Sequence, residues 1–323
     1  MDQTPTRNIG LDLVRVTEAT ALTAGRLLGL GNREMTHRAA TEAMSMALAS
    51  IDIKGHIIIG EEDRLKESTP LNTGQQVGTG QGPEVDVVVD PIDGTNSVVE
   101  GLPGAISVVC VAPRHSMWDC KPAAYMDKII VDAEAAHALV PECMDAPAGW
   151  TLAVIARAKG KSVRDLQVIV LNRPRHKHLI EELRRAGVRI LLRPDGDTAG
   201  ALIAASPGNS ADVLMGIGGA SEGVTAACGV KAIGGAMLAR LAPQSNEEWE
   251  AVKAAGIDTS SILTCDQLVS SNHIFLAATG VTDGPLLNGV EYRGQQAITY
   301  SLVLRGETGT RRTIYAEHQV SLE

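Results

Sequence analysis

Aromatic residues are nearly missing from this 323-residue chain. Phe, Trp and Tyr make up 2% of it, and Phe275 is its one phenylalanine. A core without rings must be filled by aliphatic side chains. The 44% hydrophobic content is therefore carried by Ala, Val, Ile and Leu, which suits parallel sheets covered by helices. Paired cysteines are lacking too. Cys110, Cys120, Cys143, Cys228 and Cys265 are odd in number and show no C-x-x-C spacing, so they predict reduced, structural thiols in a reducing compartment. No apolar run has the length of a membrane span. The opening M-D-Q-T-P-T-R-N lacks the charged-then-apolar layout of a secretion signal, and the cytoplasm is the expected compartment. Basic runs are also missing: the net charge of −9 is spread along the chain. Without a basic face, stacking aromatics or zinc-finger spacings, nucleic acid is not an expected partner, and neither is a membrane.

What is present has a clear rhythm. Leu11, Val14, Leu22, Leu27 and Leu28 recur at near-helical spacing, and G-L-G-N ends that helix near residue 30. A second helix is predicted over 36–51, with Ala40, Ala43, Met44, Ala47 and Leu48 on one face. H-I-I-I-G predicts a strand leading to Glu61, and residues 64–84 read as loop with at most one short element. V-D-V-V-V-D (85–90) is a buried-strand pattern closed by Pro91, with A-I-S-V-V-C-V-A as its neighbour. Within 119–165, K-I-I-V-D-A, A-H-A-L-V and T-L-A-V-I-A-R-A read as strand-like. The second half alternates: L-Q-V-I-V-L, a helix through H-K-H-L-I-E-E-L-R-R-A-G, V-R-I-L-L, a short helix after P-D-G-D, A-D-V-L-M-G-I-G-G, and a long Ala-rich helix. That order predicts parallel strands joined by right-handed crossovers. Two lobes sharing an interface are expected: residues 1–165, carrying the D-P-I-D-G-T turn, and residues 166–323, an α/β unit.

The sharpest chemical signal is Val87-Val88-Val89-Asp90-Pro91-Ile92-Asp93-Gly94-Thr95-Asn96. A buried strand delivers Asp90 at its end, and Asp93 and Thr95 follow on a tight turn where Gly94 allows close backbone approach. Two carboxylates this close repel unless a cation lies between them. Hard oxygen ligands beside a hydroxyl suit Mg²⁺ or Mn²⁺. The plain alternative is a strand-terminating Asx turn with Asp93 at the surface.

D-P-I-D-G-T resembles the hallmark of the lithium-sensitive, metal-dependent phosphatase superfamily, which includes inositol monophosphatases and fructose-1,6-bisphosphatases. L-V-R-V-T-E-A-T-A-L, I-I-I-G-E-E, A-A-Y-M-D-K-I, N-R-P-R-H-K-H-L-I, P-D-G-D, G-I-G-G-A-S-E-G-V and A-T-G-V-T-D-G-P-L-L-N-G-V narrow the likeness. They are similar to the bacterial class II fructose-1,6-bisphosphatases, whose cyanobacterial members also act on sedoheptulose-1,7-bisphosphate. The match runs in order from about residue 10 to 315.

This resemblance implies a layered α/β/α/β/α sandwich, an Mn²⁺ or Mg²⁺ cofactor and a dimer or tetramer. It implies Glu61, Asp90, Asp93 and Glu222 as metal ligands, with Thr95 orienting the attacking water. Asp93, Gly94, Thr95, Tyr125, Arg173, Pro174, Arg175, Asp195, Gly196, Asp197 and Gly219 are implied in substrate binding. Two arginines opening a helix fit a second, non-reacting phosphate; alone they would read as solvated surface about as often. The adjacent His176 reads as a helix-surface residue. Asp195 and Asp197 suit sugar hydroxyls, or else form an ordinary D-G turn.

Where the family carries a lysine and a metal-binding aspartate, this chain has Arg33 and His37, so His37 becomes the ligand expected at that place. Asp63 stands in for a second acid after Glu61 and Glu62. The function implied is hydrolysis of the C1 phosphate of fructose-1,6-bisphosphate, or also of sedoheptulose-1,7-bisphosphate, in gluconeogenesis or the Calvin cycle. The alternatives are an inositol-type monophosphatase, which would want a W-D-x-A motif where S-E-G-V-T-A-A stands, and a catalytically weak sugar-phosphate-binding regulator.

Overall fold

Val87, Val88 and Val89 point alternately to opposite faces of one strand, and both faces are buried. That detail sets the architecture of the computed structural model, which describes residues 8–61, 69–208 and 210–321. Val87 and Val89 pack with Leu13, Val16, Met44 and Leu48 from the helices Ile9–Gly25 and Arg33–Leu48. Val88 faces the other way, toward a cluster holding Leu202, Val224 and Cys228 from the helices Asp197–Ala205 and Ala220–Ala232. Met126, Ile130 and Ala239, from a second sheet, close the far side of that cluster. The opposite face of the second sheet presents Ile129, Val131, Val168 and Val170 to Leu152, Ile155, Ile180 and Leu183 of the helices Ala148–Ala158 and Lys177–Ala186. The layers run helix, sheet, helix, sheet, helix, which is the expected α/β/α/β/α sandwich.

The first sheet runs Glu291–Arg293, Gln296–Arg305, Phe275–Gly280, Ile106–Pro113, Glu84–Asp93, Lys54–Ile59, Gln76–Val77, with Thr310–Gln319 alongside Gln296–Arg305. Only Lys54–Ile59 and Glu84–Asp93 are parallel neighbours in it. The second runs Leu263–Thr264, Ala236–Leu241, Tyr125–Val131, Val213–Gly219, Gln167–Leu171, Arg189–Arg193. Its last three strands are parallel, as the β-α-β rhythm predicts. The wider inference from composition to parallel sheets holds there and, in the first sheet, for the one pair Lys54–Ile59 and Glu84–Asp93. Helices cover both faces of both sheets, so continuous apolar runs arise whatever the strand direction.

Other readings change as well. A-H-A-L-V is not a strand; Ala136–Ala138 and Pro141–Met144 are 3-10 turns. T-L-A-V-I-A-R-A lies in a helix, where Thr151, Leu152, Ile155 and Ala156 are buried on one face. The first helix ends at Gly25, and Leu28 and Leu30 beyond it are exposed. The partition of the sheets does not follow a division at residue 165: Tyr125–Val131 sits inside the second sheet, and the strands from Phe275 onward return to the first. Among the described residues no helix is long and apolar enough to cross a membrane.

Candidate active site

Pro91 does not end its strand. The ladder with Ile106–Pro113 pairs Asp90 with Val108, shifts register, and resumes at Asp93 opposite Ile106. Proline has no N–H to donate, so the backbone bows out between the two acids and turns both inward. Asp90 is 4% exposed and Asp93 2%. Gly94 follows at φ 93°, a left-handed conformation that glycine adopts without strain, and the helix Thr95–Glu100 begins there. The buried Thr95 hydroxyl donates to the Ile92 carbonyl at 3.1 Å and lies 3.0 Å from Nε2 of His37.

Asp93 reaches across to the second half of the sandwich. Its oxygens accept the N–H groups of Thr198 (3.3 Å) and Ala199 (2.8 Å) in the first turn of the helix Asp197–Ala205, donors that have no intrahelical partner. Burial, then the neighbouring Asp90 charge, push the Asp93 carboxyl well above its ordinary acidity range. The Ala199 bond opposes them, and Glu222 adds to them.

Glu61, Asp90, Asp93 and Glu222 all line one cleft of about 510 Å³, together with Arg173 and Arg175. Glu61 follows the strand Lys54–Ile59, and Glu222 stands in the first turn of Ala220–Ala232. Glu222 presses against the backbone: a β-carbon on Gly219 would lie 1.6 Å from its Oε2. Four carboxylates crowded into one largely buried cleft are the hard-oxygen chemistry a divalent cation requires, and a cation among them would relieve the repulsion felt at Asp93. The donor set fits in kind. Among the described residues, no three His, Cys, Asp or Glu side chains are grouped tightly enough to enclose an ion as they stand. His37, expected as a ligand, does not line the cleft. It lies buried behind it, with Nε2 on Thr95 and Nδ1 3.9 Å from Oε2 of Glu61. Glu62 and Asp63 fall outside the described residues.

Most of the residues expected to hold the substrate gather on the same cleft; Thr95, 1% exposed, lies with His37 just behind its lining. Gly94, Tyr125, Asp195, Asp197 and Gly219 line it. Arg173 pairs with Asp195 at 3.1 Å, and the other Asp195 oxygen accepts the Asn96 N–H at 3.2 Å. Arg175 lies over the Tyr125 ring, 5.0 Å from its centroid, and its Nε donates to the Ile217 carbonyl at 3.0 Å. Burial lowers the Arg175 pKa. Pro174 opens a 3-10 turn and Gly196, at φ 83°, opens the helix Asp197–Ala205; both frame the cleft without lining it. Arg33 lines its mouth and bonds the Asn96 side chain. His176 corrects the surface reading. It is 2% exposed, donating from Nδ1 to the Leu171 carbonyl (2.7 Å) and accepting the Ile217 N–H at Nε2 (2.8 Å). Both nitrogens are used in fixing strand ends, and burial lowers its pKa.

Two residues escaped the sequence reading. Arg193 inserts its guanidinium between two loops, donating to the carbonyls of Gly104 (2.9 Å) and Gly196 (3.3 Å). Lys128 is buried at 1% exposure and ion-paired with Asp197. Lys128 stood in a strand pattern and Arg193 at the end of one, where a lone cation reads as solvent-facing; the Lys128 partners and the Gly104 carbonyl that Arg193 reaches lie far away in sequence. The one available signal was for Lys128: it alternates in phase with Met126 and Ile130, an apolar face.

A layered α/β/α/β/α fold whose cleft gathers carboxylates and arginines at a D-P-I-D-G-T turn is that of the α/β sugar phosphatases. Within them, the chain belongs to the family described as bacterial fructose-1,6-bisphosphatase, glpX-encoded, whose sequence profile matches residues 7–318. It is 35% identical over a 325-residue alignment to the class 2 fructose-1,6-bisphosphatase of Haemophilus influenzae, covering 97% of this chain and 96% of that protein. Fructose-1,6-bisphosphatase 1 class 2 of Escherichia coli K12 is also 35% identical, over 97% of this chain and 95% of the relative.

Proposed function

We propose that the protein is a phosphoric monoester hydrolase that removes the C1 phosphate of fructose-1,6-bisphosphate, using Mn²⁺ or Mg²⁺. One observation carries this reading beyond family membership: the acids and the two arginines share a single cleft. A bisphosphate needs both, one end to react and the other to be held.

Glu61, Asp90 and Glu222 would hold the cation, and Asp93, anchored by two backbone N–H groups, completes the acidic wall. When bound, the cation supplies charge neutralisation for the phosphoryl oxygens and acidifies the attacking water. Thr95 orients that water with a hydroxyl held by the Ile92 carbonyl and His37. In this geometry His37 acts on Thr95 rather than as a ligand. Arg173 and Arg175 take the second phosphate through charge-assisted bonds. Asp195 and Asp197 accept hydrogen bonds from sugar hydroxyls, between Tyr125 and the Gly219 backbone. The same contacts admit sedoheptulose-1,7-bisphosphate, so the chain serves gluconeogenesis or the Calvin cycle. We place it in the cytoplasm as a dimer or tetramer.

Phosphate release from fructose-1,6-bisphosphate, sedoheptulose-1,7-bisphosphate and inositol monophosphate, each with Mn²⁺ and with Mg²⁺, tests the reading. Release from the sugar bisphosphates alone supports it. Preference for inositol monophosphate would reassign the substrate, and tight sugar-phosphate binding without release under either metal would make the chain a binding regulator.

A further inference from the structure

Lys128 meets the cleft only through its neighbours. It is the bulkiest fully buried side chain of the described residues, standing mid-strand between Gly216 and Ala239. Its ammonium pairs with the Asp197 carboxylate and donates to the Gly219 carbonyl at 3.0 Å. Both of those residues line the cleft. A buried cation is costly to desolvate, and an apolar side chain in the same space would serve stability as well or better. Its use is therefore sought in geometry. The surroundings are cut to fit: a β-carbon on Gly218 would lie 1.9 Å from Oδ2 of Asp197 and 2.8 Å from Nζ of Lys128. Asp197 also lies within the electrostatic reach of Arg175 and Arg193. A carboxylate released from Lys128 would have a competing cation in the arginine that faces the anion.

We infer that Lys128 is a positioning residue for sugar recognition, which holds the Asp197 carboxylate, and through Gly219 the start of the helix bearing Glu222, in the orientation the substrate meets. This rests on the functional reading above, in which Asp197 contacts the sugar. It adds a residue from the buried face of a strand, and it gives Lys128 a role exerted on KM through Asp197.

The test compares wild type, Lys128→Met, Asp197→Asn and the double variant for KM, kcat and Tm. In parallel, the Kd for fructose-1,6-bisphosphate is measured by calorimetry. Lys128→Met should lower Tm and raise KM and Kd about tenfold, the loss of one charge-assisted contact, with a smaller fall in kcat. In the double variant no lone buried charge remains, so Tm should recover. KM and Kd should stay where Asp197→Asn alone leaves them, because Lys128 acts through that carboxylate. Recovery of KM and Kd together with Tm would reduce the pair to a structural ion pair and overturn the inference. So would a wild-type KM and Kd in Lys128→Met. The Kd comparison decides the matter even without turnover, whereas a wild-type protein that binds but releases no phosphate defeats the functional reading instead. Should Lys128→Met fail to fold, the double variant against Asp197→Asn still gives the answer.

Discussion

Oγ1 of Thr95 lies 3.0 Å from Nε2 of His37, and both residues are 1% exposed. A threonine hydroxyl has one proton to give, and here it also contacts the Ile92 carbonyl at 3.1 Å. Its orientation is thus fixed from two sides before any ligand arrives. Removing the hydroxyl should lower kcat about a hundredfold, the range typical of a lost group that positions or moves a proton, and leave KM within about threefold. Thr95→Ser should keep most of the turnover. Steady-state kinetics of both variants check the assignment, and equal losses in kcat and KM for Thr95→Ala would contradict it.

His37 should matter through Thr95. His37→Gln should reduce kcat about tenfold by loosening the hydroxyl, since misplacing a reacting group by about 1 Å costs up to about a hundredfold. In a Thr95→Ala background the same change should cost almost nothing further, because the two residues act as one unit. Additive losses would separate them. A shift in the metal concentration for half-activation, with kcat preserved, would return His37 to the role of ligand.

The Gly219–Glu222 contact makes a prediction about the cation. Gly219 has φ −63°, so alanine suits its backbone; the obstacle is the Oε2 atom of Glu222, 1.6 Å from the added carbon. Gly219→Ala should push Glu222 aside and raise the Mn²⁺ or Mg²⁺ concentration for half-activation about 10- to 100-fold, the scale seen when a metal ligand loses its support. Calorimetric metal titration should show the same weakening, with a Tm close to wild type.

How much of this was written in the chain can be judged element by element. The strands around Val87–Val89 and Ile169–Val170 were legible because β-branched runs bounded by Gly, Pro and Asp leave little choice. The D-P-I-D-G-T turn was legible because its residues are chemically specific at fixed spacing, and the structure brings Glu61 and Glu222 to the same cleft from distant segments. The segment 119–165 was not. Ala-rich helices and strands share a composition, and Ala148–Ala158 shows its period only once its buried face is known. Pro91 misled because a proline was expected to stop pairing, whereas a local bow accommodates it. His176, Lys128 and Arg193 were misjudged or missed because polar residues read as exposed until tertiary partners appear. Their bonds reach carbonyls or acids that no local pattern announces.

Away from the cleft, Asp212 gives the fold a dependence on acid. Burial raises its pKa, but the hydrogen bonds from Lys161 (2.6 Å) and from the Gln167 N–H (3.0 Å), with the charge of Lys159, outweigh that and hold it below the ordinary carboxylate value. Lys159 also pairs with Asp132 at 2.5 Å, so one knot ties the chain beyond Ala148–Ala158 to the second sheet. None of these residues lines the cleft. A carboxyl whose pKa is depressed on folding contributes stability that is complete above its unfolded value, about 3.9, and is lost as pH falls through the lower folded value. Asp212→Asn removes one of the carboxylates around Lys159, which keeps Asp132 and Glu134, and the one nearest the half-exposed Lys161, and should cost about 1–2 kcal/mol at pH 7. Below about pH 4 the wild type sheds the share of that contribution its charge carries, so the gap between the two proteins should narrow. Urea midpoints measured at pH 7, 5, 4 and 3 check this. A gap that stays constant to pH 3 would show that Asp212 stabilises the fold by packing and hydrogen bonding alone, with no share from its charge.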